Sequence, residues 1–217
     1  MDVTSWTIKE LSAYVGGLSN PSKMPGYGYS LPAKECKTGG KLRAVEGSTC
    51  SGCYAMKGRY NFSNVSAALY RRLDAIGQPL WAQVMAELIT RKGEEYFRWH
   101  DSGDLQSLAH LERIAEVCEL TPAVKHWLPT REYRIVQEYI AEHGAFPPNL
   151  NVRLSAHMIG GHVPSFPRLQ GLVTVSTVSR DGEIGGYECP ARHQGNSCGD
   201  CRACWNTDTP HVDYHLH

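Results

Sequence analysis

The chain has 217 residues, 41% of them apolar and 20% charged, the composition of an ordinary globular protein with a sizeable core. Its 22 Lys and Arg balance its 22 Asp and Glu, which excludes the basic excess of a general nucleic-acid binder. No run approaches the roughly 18 apolar residues of a membrane span, and Met-Asp-Val-Thr-Ser-Trp at the start is no secretory signal, so no membrane partner and a cytoplasmic location are expected.

In chain order, Thr7 to Val15 predicts one short helix ended by Gly16-Gly17, and Pro21 to Pro32 an irregular arm. Cys36, Cys50 and Cys53 follow, set among small residues that let the backbone turn tightly. Ser63 is the expected N-cap of a helix whose buried stripe is Val65, Ala68, Leu69, Leu73 and Ile76, stopped by Gly77. Pro79 starts another, with Leu80 or Trp81, Val84, Met85, Leu88 and Ile89 inward.

From about residue 95 strands and helices alternate. Strands are expected over Tyr96 to His100, Val124 to Leu128, Leu150 to Leu154 and Gly171 to Thr177. Their exits are Asp101 to Asp104, Pro129 to Glu132, Ser155 to His157, and Val178 to Asp181. Between the first three lie helices carrying Leu108, Leu111, Ile114, Ala115 and Cys118, then Ile135, Val136, Tyr139 and Ile140. Strand starts about 20 to 30 residues apart have the period of a βα unit. The expected fold is α/β: a partial or distorted (β/α) barrel with cysteine-rich N- and C-terminal segments, a flat open sheet being the competing reading. One or two further strands are expected in the N-terminal third. The whole chain reads as one domain, with a cysteine-containing arm over 1–60, a βα core over 61–181 and a cysteine-rich segment over 182–217. Within the last, Gly182 to Tyr187 reads as a flexible joint and the histidine-rich tail from His211 to His217 as frayed.

Seven of the eight cysteines fall in two clusters, Cys36, Cys50, Cys53 and Cys189, Cys198, Cys201, Cys204. In a reducing compartment such clusters mark metal sites rather than disulfides. Cys50-x2-Cys53 with Cys201-x2-Cys204 suits a four-thiolate zinc site but leaves three thiols unused. The run C-x2-C-x2-C favours an iron–sulfur cluster, expected as one or two [4Fe-4S] groups, with zinc as the alternative. Four C-terminal thiols would saturate one cluster, and three N-terminal thiols would leave one iron open. A single cluster drawing on both ends is the rival arrangement. Cys118 reads as core.

In parallel α/β folds chemistry gathers at the C-terminal ends of strands. His100, Asp101 and Asp104 collect there, with Arg131 on the next exit; these are the candidate catalytic residues. Each has a plainer reading: Asp101 to Asp104 is good turn chemistry, Asp104 would cap the next helix, and Arg131 would pair with Glu132 or Asp104. His157 is a weaker candidate. Lys57 and Arg59 would face the cluster or solvent, and Tyr54, Trp127 and Trp205 would pack the core or shield the cluster.

Several segments together resemble the phage gene product 88-like family: Cys50-Ser-Gly-Cys53-Tyr-Ala-Met-Lys-Gly-Arg-Tyr60, Phe97-Arg-Trp-His-Asp-Ser-Gly-Asp104, Trp127-Leu-Pro-Thr-Arg-Glu132, Asn151-Val-Arg-Leu-Ser155 and Cys201-Arg-Ala-Cys-Trp205. The middle third is similar to proteins related to radical S-adenosylmethionine enzymes. That likeness implies a partial barrel with a cubane cluster near its top. Their C-x3-C-x2-C loop is replaced here by C-x13-C-x2-C, and no glycine-rich methionine-binding segment is evident, so S-adenosylmethionine binding does not follow.

The leading expectation is a redox or radical-type iron–sulfur enzyme on this scaffold, acting on an unidentified small-molecule or macromolecular substrate in the host cytoplasm. The alternatives are a zinc-stapled phage protein that binds a host protein or nucleic acid, and an iron–sulfur electron-transfer or redox-sensing protein.

Overall fold

A computed structural model of the chain describes residues 2–180 and 185–216. Met1, Asp181, the first three residues of the joint after it (182–184) and His217 lie outside the described residues. No helix among the described residues is long and apolar enough to cross a membrane.

The centre is a seven-stranded, all-parallel sheet. Its strands are β1 (Gly28–Tyr29), β2 (Tyr96–Trp99), β3 (Lys125–Thr130), β4 (Leu150–Ser155), β5 (Thr174–Ser179), β6 (Tyr187–Glu188) and β7 (His211–His215). The spatial order β1-β2-β3-β4-β5-β7-β6 leaves β1 and β6 as the two edges. Five strands follow one another in sequence, and right-handed crossovers then place every connecting helix on the same face. That is the arrangement of a barrel sector rather than of a doubly wound sheet.

The helices are α1 (Ile8–Tyr14), α2 (Lys37–Leu42), α3 (Ser63–Ala75), α4 (Trp81–Lys92), α5 (Leu108–Leu120) and α6 (Tyr133–His143). Helices α4, α5 and α6 pack in series, each on its neighbour. Trp81, Val84, Met85, Leu88 and Ile89 of α4 are all fully buried, as the 3.6-residue period predicts. Phe97 and Trp99 alternate onto the same side, their rings 4.9 Å apart, and Trp99 stacks on His126. The opposite face carries the other set of alternating side chains: Arg98, Trp127, Asn151 and Arg153. It is covered by the turn Ala203–Trp205, which packs on β3 and β4.

Several expectations change. The arm contains β1, which pairs with Arg98 and Trp99 of β2. Among the small residues after Cys36, Lys37–Leu42 forms a short helix. Phe62 occupies the N-cap of α3, and Ser63 is already helical. Ser107, not Asp104, caps α5, accepting from His110 N at 3.1 Å. Pro129 lies inside β3, paired with Arg153, and β5 begins at Thr174 and runs through Val178. The tail is the largest correction. His211 to His215 forms an interior strand between β5 and β6. Its buried Asp213 accepts from the hydroxyls of Thr177 and Ser179, which removes the penalty of burying a carboxylate there.

The β2 exit is docked tightly. Ser102 O accepts from Leu31 N at 2.8 Å, and Ser102 Oγ donates to Leu31 O at 2.8 Å. Gly103 has φ +81°, and a Cβ there would lie 2.5 Å from Leu31 Cβ. Gly103→Ala is therefore expected to cost about 2–4 kcal/mol through a strained φ and overpacking, read as a lower midpoint in urea unfolding.

Candidate functional site

Two groups of thiols form at different places on the sheet. The first lies over the C-terminal ends of β1 to β4. Cys36 caps α2, and Cys50 and Cys53 sit in the following loop. That loop is fastened to the β4 exit by Thr49 N donating to His157 O at 2.9 Å, and to the β3 exit by Arg131 Nε donating to Thr49 Oγ1 at 3.0 Å. A Cβ on Gly39 would lie 3.2 Å from Cys36 Cβ and 3.4 Å from Cys50 Sγ, so the bare glycine lets the two thiols approach α2. Burial first, then Asp104 and the thiols of Cys53 and Cys50, push Cys36 up to about 12. Cys50 is raised by burial, opposed by Arg131.

The second group lies on the helix-free face and beyond β6. Cys189 follows β6, Cys198 N donates to Lys23 O at 2.9 Å, and Cys201 Sγ is 3.4 Å from Tyr187 Oη. Cys204 Sγ lies 3.1 Å from Tyr214 Oη of β7. Burial raises Cys204 to about 11, with Tyr214, Arg153 and Arg98 pulling it down. Within this group Cys189 interacts with Cys198, Cys201 and Cys204. In the first group Cys36 interacts with Cys50 and Cys53. Cys118 is buried in α5, in the core.

Asp104 and Glu132 brace the first group. Asp104 Oδ1 accepts from Thr130 Oγ1 at 2.6 Å and Leu105 N at 2.8 Å, and Oδ2 accepts from Arg131 N at 2.9 Å. Thr130 Oγ1 accepts in turn from Glu132 N. The Glu132 carboxylate takes Thr38 N and Thr38 Oγ1, both at 2.7 Å, which satisfies an orphan donor in the first turn of α2. A continuous chain of hydrogen bonds thus runs from the β2 exit through β3 to the helix that Cys36 caps. Arg131 partners Thr49 rather than Glu132.

Asp101 faces the loop after Cys53. Its Oδ2 accepts from Tyr60 Oη at 2.6 Å, its backbone carbonyl accepts from Tyr54 Oη, and its Oδ1 lies 3.3 Å from Arg98 Nη1. His100 leaves β2 with φ +56°, unusual outside glycine. Its ring is 3% exposed, 5.3 Å from that of His110, and neither nitrogen has a partner among the described residues. Burial holds it well below the ordinary histidine range. His157 stacks on Tyr133 at 4.3 Å, and Lys57 and Arg59 are solvated.

Sequence reasoning left Arg98 and Arg153 out of the site. Arg153 is fully buried, and its Nη atoms donate to Val175 O, Ala203 O and Thr209 O. A groove of about 950 Å³ opens at the N-terminal ends of the strands, where Cys201 and Arg202 form part of its lining. Solvent therefore reaches the edge of the second thiol group.

The donor set fits an anionic, sulfur-rich group. Arg98 Nε, Trp127 Nε1 and Arg153 Nε are buried donors on this face with no acceptor among the described residues. Both arginines interact with the Cys204 thiol. A family model described as gene product 88 matches residues 4–207. No curated protein and no solved structure matches the chain significantly.

Proposed function

The chain belongs to the gene product 88 family, and from that premise we propose that it is an iron–sulfur enzyme of redox or radical type on a scaffold akin to that of radical S-adenosylmethionine enzymes. The observation that carries the reading is the division of seven thiols into a trio at the strand C-termini and a quartet on the helix-free face. Spacing favours iron–sulfur over zinc. Three short steps between Cys198, Cys201 and Cys204 let one loop hold three corners of a cube, whereas joining Cys50-x2-Cys53 to Cys201-x2-Cys204 on one zinc would leave three thiols unused.

The quartet supplies a complete ligand set. The trio supplies three, and a cubane bound this way offers an open iron to a substrate or other ligand. Around it the chain contributes orientation and charge. Arg131 acts on the Cys50 thiol, and since its side chain bonds through Nε to Thr49, its terminal nitrogens are the ones to clamp an anionic substrate group. Asp101, held by Tyr60 and Arg98, is the candidate proton acceptor. Asp104 and Glu132 fix the backbone that presents Cys36, and His100 shapes the exit turn from within the core.

Purification without oxygen is expected to give a brown protein with about eight irons and matching acid-labile sulfide. The variant C36A/C50A/C53A should retain about four. A colourless protein containing zinc and no sulfide overturns the reading. Unchanged iron in the triple variant removes the trio from it, and S-adenosylmethionine left uncleaved by the reduced protein confines the likeness to fold.

A further inference from the structure

The Arg98 guanidinium stands between the Asp101 turn, which holds Tyr54, and the Trp127 ring, which packs on Trp205. On one side Nη1 lies 3.3 Å from Asp101 Oδ1, and the Asp101 carbonyl accepts from Tyr54, the residue after Cys53. On the other, its guanidinium carbon lies 4.4 Å from the centre of the Trp127 ring. Trp127 packs edge-on against Trp205 at 5.1 Å, and Trp205 adjoins Cys204 in the chain. The Arg98 charge acts favourably on the thiolates of Cys198 and Cys204.

Most of Arg98 is spent on the chain: Nη1 also donates to Met24 Sδ at 2.7 Å. Nε is not, and neither is the indole Nε1 of Trp127 beneath it. Arg153 Nε is unpartnered as well, but its Nη atoms are committed to carbonyls that hold the turn carrying Cys204. Three buried N–H donors without acceptors among the described residues, Arg98 Nε, Trp127 Nε1 and Arg153 Nε, therefore lie on the face that the turn carrying Cys204 covers, and Arg98 and Arg153 bring a permanent positive charge with theirs.

We propose that Arg98 is a positioning residue for the quartet, supplying with Trp127 the N–H donation and positive charge that make its sulfur-rich anionic group easier to reduce. This rests on the iron–sulfur reading. Hydrogen bonds to sulfur and a nearby cation both stabilise the added negative charge of the reduced state. The Asp101 contact ties the same guanidinium to the turn that holds Tyr54, the residue after Cys53.

The test measures the reduction potential of the quartet by electron paramagnetic resonance in the C36A/C50A/C53A chain, where the trio gives no signal. In Arg98→Met the reduced-to-oxidised ratio at the parent midpoint should fall at least tenfold, about 59 mV for a one-electron couple. Arg98→Lys keeps the charge without the Nε donor and should fall between. Trp127→Phe removes a donor and no charge, and should shift the same way by less. Arg134→Met, on the exposed face of α6, should shift nothing. Unchanged midpoints in all three site variants at full iron and sulfide content overturn the proposal. Should Arg98→Met lose the cluster, unchanged Arg98→Lys and Trp127→Phe overturn it equally. A parent chain without acid-labile sulfide instead overturns the iron–sulfur reading, and this proposal with it.

Discussion

Replacing Asp104 by alanine is expected to lower stability by about 3–4 kcal/mol, because three buried donors lose their acceptor at once. Thr130 Oγ1, Leu105 N and Arg131 N all converge on this carboxylate. The same substitution should lower iron at the trio, since the brace continues through Glu132 to the helix capped by Cys36. A pH arm separates the charge from the bonding. Burial raises Asp104 from 3.8 to about 6, against the pull of its three donors. A group raised in the folded state stabilises most below its unfolded value and loses that contribution as pH rises through 6. Between pH 7 and pH 5 the natural chain should therefore gain about 1.4 kcal/mol that the alanine variant lacks. Urea unfolding at the two pH values reads the difference. A gap that stays constant or narrows on acidification would show that Asp104 is ionised throughout.

The sheet was legible where strands and helices alternate at full length. Strand β2 and helices α4, α5 and α6 carry long apolar periods, and each expected inward residue is found in the core. Short elements were not. Strands β1 and β6 have two residues each, too few for any period to register, and exist because a neighbouring strand offers them partners. The tail alternates His-Val-Asp-Tyr-His, a strand pattern obscured by its polar half. Within that half Asp213 is buried and His211 partly so because β5 presents the hydroxyls of Thr177 and Ser179 opposite them. Helix α2 was hidden by two glycines, and its first turn is held by Glu132, more than ninety residues away.

At the site, spacing marked seven cysteines as candidate ligands, and charge interactions link Cys36 with Cys50 and Cys53, and Cys198 with Cys189 and Cys201. Arg98 and Arg153 were missed although a signal was present. Each is a lone basic residue within a hydrophobic strand, in Phe97-Arg-Trp and Val152-Arg-Leu. An arginine in a buried strand needs acceptors on the face that it enters. For Arg153 two of those acceptors come from the turn over residues 203–209, some fifty residues later in sequence, and for Arg98 one partner is Met24, more than seventy residues earlier, so no local window contains the whole arrangement.

Arg153→Met should produce the complementary defect. The substitution preserves much of the apolar stem but strips donors from Val175 O, Ala203 O and Thr209 O, all on the face that the cysteine-rich turn covers. Stability is expected to fall by about 3 kcal/mol, the desolvation cost of stranded acceptors exceeding the relief of burying no charge. Asn151 still holds Cys204 O at 2.9 Å, so the turn should loosen rather than detach. Iron should then be lost from the quartet while the trio keeps its own, the reverse of the Asp104 variant. Measuring iron per chain in Asp104→Ala, Arg153→Met and the double variant decides whether the braces are independent. Asp104 serves the strand C-termini and Arg153 the helix-free face, with no shared partner, so the two losses should add. If either single variant empties both sites, the thiols form one cooperative unit, and the division into a catalytic trio and a supporting quartet fails.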